Sequence, residues 1–306
     1  TTVESTDRDW FDLGVIVTID GRSIPFTPLF TALSMRRRKM LLADGGWFSL
    51  AHPALQRLRD LLDEVTDLNE WETGPRINRH QTALWDDFED LADEAVPAMT
   101  WRAAITALRD TDHVPRLAAP PGLRAVLRPY QHSGFEWSAF LWSHRLGGIL
   151  ADDMGLGKTI QILTLLLHAR SAGERRPFLV VAPTSVLTTW TQEAARFAPD
   201  LQVRVAGTRA EAVTATEADD ADLILTTYAV LRLEDAVFAA RDWAIVVLDE
   251  AQFVKNPDSQ QHRAAAALRA DAVFAVTGTP LENSLSELWA LLALTAPGLF
   301  ASARRF

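Results

Sequence analysis

The sequence contains no cysteine among its 306 residues. A disulfide framework is therefore excluded, and so is any zinc site that depends on thiolate ligands. The seven histidines are scattered and show no zinc-binding spacing, so we expect them to be solvated or packed in a core. A chain without thiols suits a reducing compartment, and we expect the protein to be cytoplasmic.

Long apolar runs are also missing. No stretch approaches the roughly 18 apolar residues that a membrane-spanning helix needs, and the opening TTVESTDRDW has the features of neither a signal peptide nor a transit peptide. We therefore expect no membrane partner. The chain does not begin with methionine, and we expect it to be a fragment of a longer protein.

Positive charge is scarce. The chain carries 30 basic and 40 acidic side chains, for a net charge of −10. This balance argues against a broad basic surface that coats nucleic acid, so any nucleic-acid contact must be local. The only lysines are Lys39, Lys158 and Lys255, and the last two lie inside motifs described below.

A glycine-rich segment, DDMGLGKT, lies between an apolar run and a helical pattern. A strand that ends in such a turn and opens a helix presents backbone N–H groups and the positive end of the helix dipole to phosphates. Lys158 would add a point charge on the β and γ phosphates, and the Thr159 hydroxyl would bind magnesium. The segment predicts an ATP-binding loop made of Asp152, Asp153, Met154, Gly155, Leu156, Gly157, Lys158 and Thr159.

From residue 121 to residue 306 the pattern is α/β. Six apolar runs of strand length alternate with helical stretches: GGILA, FLVVAP, VRVAG, DLILTT, AIVVLD and VFAVTG. Continuous apolar runs indicate strands that are covered on both faces. We predict a parallel, doubly wound sheet with helices on both faces, whose ligands bind beyond the carboxyl ends of the strands.

The run AIVVLD ends on two adjacent carboxylates, Asp249 and Glu250. An aspartate at a strand end beside a phosphate loop is placed to hold magnesium, and the next glutamate can activate the attacking water. Together with the loop lysine, these residues predict a site of ATP hydrolysis. The predicted catalytic residues are Lys158, Asp249 and Glu250.

Residues 1–120 do not show the α/β pattern of residues 121–306, and they carry 20 acidic but only 13 basic side chains. Alternating patterns around Asp20-Gly21 and Asp44-Gly45 each predict two strands joined by a tight turn, the first pair spanning residues 10–26. Helical periodicity predicts helices over residues 54–65 and 83–95, the second with an acidic outer face. We predict a small α+β accessory domain.

Six segments, taken in order, resemble the first motor lobe of the Snf-type ATPases of helicase superfamily two. They are LRPYQHSGFEW, DDMGLGKT, VVAPTSVLTTW, ILTTYAVLR, LDEAQFVKNP and VTGTPLENSLSELWALL, and the resemblance spans residues 123–300. It implies a RecA-like fold. The opening WFDLGVIVTIDG more loosely resembles the accessory domain that precedes this motor in bacterial members, so we expect a bacterial protein associated with the nucleoid.

The resemblance also implies roles for individual residues. Arg128 and Gln131 would lie by the adenine of ATP. The backbone of a nucleic acid would be held by Thr184, Ser185, Thr189, Thr227 and Tyr228. Nucleotide state would be coupled to this contact by Gln252, which replaces the commoner histidine, and by Thr277, Gly278, Thr279 and Pro280, with Asn283 and Glu287 on the helix that follows.

The resemblance implies a DNA-dependent ATPase that couples ATP hydrolysis to translocation along double-stranded DNA and so remodels protein–DNA complexes. The second lobe is absent from the chain, so we expect the chain alone to be nearly inactive. A transporter ATPase or small-molecule kinase is disfavoured because the chain has no LSGGQ segment. Two alternatives remain: an RNA-directed helicase, and an adaptor whose acidic residues 86–94 bind a protein such as RNA polymerase or a repair factor.

Overall fold

A computed structural model describes residues 114–297, apart from 219, 282 and 283, and Leu299. In the first part of the chain it describes residues 2–5, 10–14, 16–19, 22–25, 29, 37, 39–41, 47–51, 55 and 76–78. The chain divides into two compact units, one built mainly from residues 1–111 and the other from residues 112–297. We describe each unit by itself and number elements in chain order among the described residues.

Within its described residues, the first unit contains seven short strands in three sheets. They are β1 (Thr2–Ser5), β2 (Trp10–Gly14), β3 (Ile16–Ile19), β4 (Arg22–Pro25), β5 (Lys39–Leu41), β6 (Trp47–Ser49) and β7 (Arg76–Asn78). Strand β2 pairs with both β1 and β7, and β3 pairs with β4 and β5 with β6, in every case antiparallel.

Both predicted strand pairs are present, with the turn at Asp44-Gly45 outside the described residues, and one predicted strand is divided. Ile19 lies opposite Arg22 in the β3–β4 hairpin, so two residues join the strands as predicted. The expected single strand from Trp10 to the turn is wrong: β2 ends at Gly14, β3 begins at Ile16, and the two belong to different sheets. A glycine inside a strand pattern weakens the strand, which favours the break there. The predicted helices 54–65 and 83–95 lie outside the described residues, except for the buried helical residue Leu55.

The second unit is built on a six-stranded sheet in the order β10-β11-β9-β12-β13-β8, with every neighbouring pair parallel. The strands are β8 (Gly148–Leu150), β9 (Phe178–Ala182), β10 (Val203–Ala206), β11 (Leu223–Thr227), β12 (Asp242–Asp249) and β13 (Arg269–Val276). Each predicted apolar run forms one of these strands, which confirms the predicted parallel sheet.

Eight helices connect the strands in the described part of this unit. They are α1 (Pro129–Ser143), α2 (Lys158–Ser171), α3 (Thr184–Phe197), α4 (Arg209–Glu217), α5 (Tyr228–Leu233), α6 (Asp235–Ala239), α7 (Gln260–Ala266) and α8 (Leu285–Thr295). Alternate residues of the central strands enter different cores: Val180 and Val247 pack with α1, α2 and α3, whereas Val181 and Leu248 pack with the later helices. The sheet is therefore covered on both faces, as its continuous apolar strands predicted.

Parallel strands place their carboxyl ends at one edge of the sheet. The segments that follow β8, β9, β11, β12 and β13 contain five of the six segments of the resemblance; the other, LRPYQHSGFEW, precedes β8 and begins α1. Among the helices that the structure describes, none is long and apolar enough to cross a membrane.

Candidate ATP and nucleic-acid site

The loop between β8 and α2 adopts the backbone that its glycines permit. Gly155 and Gly157 have φ values of 81° and 77°, a left-handed conformation that costs a residue with a side chain about 1 kcal/mol or more. A Cβ on Gly155 would meet no atom within 4 Å, whereas one on Gly157 would lie 2.5 Å from Nε2 of Gln131. Gly155 therefore borders open space, and Gly157 is where α1 approaches the loop.

Lys158 is the first residue of α2 and points back across the loop. Its ammonium donates to the carbonyl oxygens of Asp152 and Asp153, over 2.7 and 3.0 Å. Thr159 follows in the first helical turn and is half-buried. The ammonium is thus held by neutral carbonyl groups at the mouth of the loop, where the sequence predicted a phosphate-binding charge.

The start of α1 lies against the same loop. The side-chain oxygen of Gln131 accepts a hydrogen bond from the Arg128 backbone N–H over 2.9 Å, and its amide nitrogen donates to the Leu156 carbonyl over 3.0 Å. The Tyr130 hydroxyl donates to the same carbonyl over 3.2 Å. The structure therefore brings Arg128 and Gln131 to the loop, and it adds Tyr130, which the sequence did not single out.

Asp249 ends β12 with its carboxylate held on both sides. Oδ1 accepts from the backbone N–H of Glu250 over 2.9 Å, and Oδ2 accepts from the Trp190 indole over 2.7 Å. Burial raises the pKa of Asp249 above its ordinary value, and the Glu250 charge adds to the rise, while these two hydrogen bonds and the Lys158 charge lower it in part. Only β13 separates β12 from β8, which leads into the loop, so Asp249 and the loop lie at the same edge of the sheet.

Glu250 has an unusual backbone conformation, with φ of 48°. A non-glycine residue in this left-handed region is strained, and such strain is concentrated at functional sites. The Glu250 carboxylate accepts a hydrogen bond from Nε2 of Gln252 over 2.9 Å. The conformation turns the chain sharply after β12, from the buried Asp249 into a short 3₁₀ helix, Ala251–Val254.

The predicted coupling residues form a connected set. The Thr277 hydroxyl donates to the Gln252 side-chain oxygen over 3.4 Å and accepts from the Thr279 backbone N–H over 3.1 Å. Gly278 adjoins the phosphate-loop segment, because a Cβ there would lie 3.1 Å from the Met154 side chain. Pro280 follows and is half-buried, and Asn283 lies outside the described residues. The neutral Gln252 therefore links Glu250 to the segment after β13.

The sequence profile of the SNF2-related domain matches residues 130–306. The chain belongs to this family. Among curated proteins, the SNF2 chain is 38% identical over 292 residues to a putative ATP-dependent helicase/translocase, YwqA, of Bacillus subtilis, an alignment that covers 90% of this chain and 32% of the relative. It is 38% identical over 196 residues to Helicase SWR1 of Cryptococcus neoformans, covering 62% of this chain and 16% of that protein.

A solved structure of a Sulfolobus solfataricus SWI2/SNF2 ATPase core in complex with dsDNA is also similar, with a TM-score of 0.58 and 39% identity. The likeness covers 63% of this chain and 40% of that one. The RecA-like fold predicted for the SNF2 lobe is thereby confirmed. The chain spans about a third of the length of the bacterial relative.

The residues of the SNF2 lobe that were predicted to contact nucleic acid divide into two groups. Thr184, Ser185 and Thr189 are exposed on the first turns of α3. Thr227 and Tyr228 are both only 4% exposed, and their contact with a nucleic acid stays a prediction. The Thr227 hydroxyl caps α5 by accepting from the Val230 N–H, and the Tyr228 hydroxyl donates to the Asp249 carbonyl over 2.8 Å.

Three further residues at this edge of the SNF2 lobe escaped the sequence prediction. Trp190, Gln161 and Lys255 contact predicted site residues but were given no role of their own. Gln161 carried a usable signal, because it is a polar residue inside the otherwise apolar run TIQILTLLL and a buried amide needs a partner. Lys255 carried one too, as one of only three lysines.

Proposed function

We propose that the chain is the ATP-binding lobe of a DNA-dependent ATPase that couples ATP hydrolysis to translocation along double-stranded DNA and remodels protein–DNA complexes. One observation carries this proposal: the Gly155–Gly157 loop, Lys158, Asp249 and Glu250 lie together at one edge of a parallel sheet. The similarity to a SWI2/SNF2 core in complex with dsDNA supports the DNA substrate.

The residues present suit Mg²⁺ and ATP. Gly155 borders open space at the start of a helix, and the Lys158 ammonium is bound only to neutral loop carbonyls among the hydrogen bonds recorded for it. Such a loop suits a phosphate chain. The Asp249 carboxylate and the Thr159 hydroxyl are hard oxygen ligands of the kind that Mg²⁺ prefers. Bound Mg²⁺ would neutralise charge on the phosphates.

Each residue of the proposed site has a separate task. Lys158 would bind the β and γ phosphates, and Asp249 would hold the metal from its fixed position at the end of β12. Glu250 would accept the proton of the attacking water, with Gln252 orienting its carboxylate. Arg128 and Gln131 would contact the adenine, with Tyr130 as a further neighbour of that position.

Nucleic acid would bind beside the start of α3. The exposed hydroxyls of Thr184, Ser185 and Thr189 lie on the first turns of that helix, where backbone N–H groups and the helix dipole also favour phosphate. Hydroxyl and backbone donors hold phosphates without reading base sequence. This chemistry suits a motor that moves along DNA irrespective of its sequence.

For the first unit we propose the accessory domain found before this motor in bacterial proteins. Support comes from the alignment with the Bacillus subtilis relative, which covers 90% of the chain and therefore includes most of this unit. We place the protein in the bacterial cytoplasm at the nucleoid, and expect this chain alone to hydrolyse ATP barely. An arginine supplied by a second lobe is worth about 10³- to 10⁵-fold in related phosphoryl transfer.

The decisive experiment measures ATPase activity of the full-length protein with duplex DNA, single-stranded DNA, RNA and no nucleic acid. We expect duplex DNA to stimulate turnover, and Lys158→Ala and Glu250→Gln each to lower it by about 100-fold or more. Lys39→Ala and Glu217→Gln change exposed residues of the same types and should leave the rate unchanged. Stimulation by RNA alone would favour the RNA-directed alternative, and no stimulation by any nucleic acid would overturn the proposal.

A further inference from the structure

Asp249 receives a hydrogen bond from each of two neighbouring helices. From α3, the Trp190 indole nitrogen donates to the carboxylate oxygen Oδ2 over 2.7 Å. From α5, the Tyr228 hydroxyl donates to the backbone carbonyl over 2.8 Å. These are the two segments that the sequence associated with nucleic acid, and both reach the same residue of the proposed ATP site.

Helix α3 has two distinct faces. Its first turns expose Thr184, Ser185 and Thr189. Its inner face buries Trp190, at 1% exposure, together with Leu187 and Ala194. Because the indole is rigid and enclosed in a close-packed core, it follows any displacement of the helix. A phosphate held by the outer hydroxyls would therefore act on Oδ2 of Asp249 through a single side chain.

Helix α5 makes the second connection. Tyr228 is its first residue, and Thr227 caps it at the end of β11. The Tyr228 ring stacks on Phe253, with centroids 5.5 Å apart and planes inclined by 16°. Phe253 lies in the 3₁₀ helix that follows Glu250. Tyr228 therefore touches the Asp249–Phe253 segment at both ends and holds the strained turn at Glu250 between two contacts.

We propose that Trp190 and Tyr228 are positioning residues that couple nucleic-acid contact on α3 to Asp249: Trp190 transmits the contact to the carboxylate, and Tyr228 holds the Asp249 backbone, so that the carboxylate takes its productive orientation when DNA is bound. This inference rests on the proposed function and adds the route of its regulation. Oδ1 is already fixed by the Glu250 N–H, so the position of Oδ2 depends on Trp190.

A purely structural role makes a different prediction. If Trp190 and Tyr228 only stabilised the core, replacing them would lower activity with and without DNA in the same proportion. If they transmit binding, the ratio of DNA-stimulated to DNA-free turnover falls. Linkage adds a second readout, because a coupling between two binding sites is reciprocal. A non-hydrolysable ATP analogue with Mg²⁺ should then tighten duplex binding in the wild-type protein, and less so in the variants.

The test uses the full-length protein with Trp190→Phe and Tyr228→Phe, which remove one donor each and keep an aromatic ring. Trp243→Phe is a matched control, since Trp243 is also fully buried and its indole donates to the Phe238 carbonyl, over 2.9 Å. We expect the stimulation ratio to fall about tenfold in Trp190→Phe, the equivalent of one hydrogen bond to a charged group. It should fall less in Tyr228→Phe and stay unchanged in Trp243→Phe.

The outcomes separate this inference from the proposed function. A wild-type protein that DNA does not stimulate overturns both. A stimulated wild-type protein whose ratio and reciprocal DNA tightening persist in both variants overturns the inference alone. Thermal unfolding identifies a variant that has lost its fold, and if Trp190→Phe does so, an unchanged ratio in Tyr228→Phe is sufficient to overturn the inference.

Discussion

Gln161 donates a hydrogen bond from Nε2 to Oδ2 of Asp152 over 2.8 Å, and so ties the second turn of α2 to the start of the phosphate loop. Gln161 is fully buried, and its side-chain oxygen has no hydrogen-bond partner among the described residues. That oxygen packs on Gly134 of α1, where a Cβ would lie only 1.9 Å away. An unpartnered buried oxygen lowers the stability of the fold. We attribute the presence of this amide to its hydrogen bond with Asp152, which an apolar side chain could not make.

Replacing Gln161 by methionine should separate stability from ATP binding. Methionine has a similar volume and removes both the donor and the unpartnered oxygen, so the free energy of unfolding should change by less than about 1 kcal/mol. Asp152 loses its anchor, and the KM for ATP should rise about fivefold, the equivalent of roughly 1 kcal/mol. Urea unfolding and steady-state kinetics of the full-length protein measure the two effects.

Gln161→Glu is the contrasting variant. It places a second carboxylate against Asp152 in a buried position, and should cost about 2–3 kcal/mol of unfolding free energy at neutral pH. Two adjacent carboxylates raise the pKa of one of them, so this loss should diminish as the pH falls and a proton is shared. For the methionine variant, a KM for ATP equal to that of the wild-type protein would show that the Gln161–Asp152 hydrogen bond does not support ATP binding.

The two substitutions of Glu250 by glycine and alanine should differ in stability but not in activity. Both remove the carboxylate and should abolish stimulated turnover. Because Glu250 has a φ of 48°, glycine relieves strain that alanine retains, and the glycine variant should be more stable by about 1 kcal/mol. Thr214 is exposed and lies inside α4, where glycine destabilises a helix relative to alanine. Thr214→Gly should therefore be less stable than Thr214→Ala by about 1 kcal/mol. Equal stability of the Glu250 variants in urea unfolding would show that the turn carries no strain.

The sequence predicted the features whose pattern lies in adjacent residues, and it missed contacts between residues that only the fold brings together. Each strand of the second unit was evident because it is a continuous apolar run, and the phosphate loop because its glycines and lysine are adjacent. The hydrogen bond from Trp190 to Asp249 was not, because it depends on β9 and β12 being neighbours in the sheet. The hydrogen bond from Tyr228 to Asp249 was missed for a related reason: a tyrosine after a strand has the same pattern whether its ring faces solvent or Asp249.

Magnesium should stabilise the protein less as the pH falls. Burial raises the pKa of Asp249, so the folded protein retains a proton there at pH values where an ordinary aspartate has lost it. Without metal, stability is therefore lost as the pH rises from the ordinary aspartate range through the raised pKa. Mg²⁺ must displace the same proton, and its stabilising effect is present only above that pKa.

The measurement is the rise in Tm that Mg²⁺ causes in the presence of a non-hydrolysable ATP analogue, followed from about pH 8 to about pH 5. The rise should shrink toward the acid end. Asp249→Asn should remove most of the Mg²⁺ effect at every pH, whereas Asp220→Asn, at a side chain that is 65% exposed, should leave the profile intact. A Mg²⁺ effect that is independent of pH in the wild-type protein would argue against Asp249 as the metal ligand.

Lys255 joins three parts of the proposed coupling region. Its side chain is 7% exposed and follows the 3₁₀ helix after Glu250; its ammonium donates to the Thr279 carbonyl and lies 3.3 Å from the Glu287 carboxylate of α8. Glu287 is itself only 19% exposed at its side chain. Removing one member of a buried pair leaves the other charge poorly solvated, so Lys255→Met should lower the free energy of unfolding by about 2 kcal/mol or more.

A double-mutant cycle with Glu287→Gln tests the pair directly. We expect a coupling energy of about 1–2 kcal/mol, because the double variant no longer contains an isolated charge. If the contact also holds the Thr279 segment in its working position, Lys255→Met should reduce the kcat stimulated by DNA more than it changes the KM for ATP. Lys39→Met, at an exposed lysine, should alter neither. If the two changes in unfolding free energy add to within about 0.5 kcal/mol, the ion pair contributes no coupling energy. If Lys255→Met has the DNA-stimulated kcat of the wild-type protein, Lys255 takes no part in coupling.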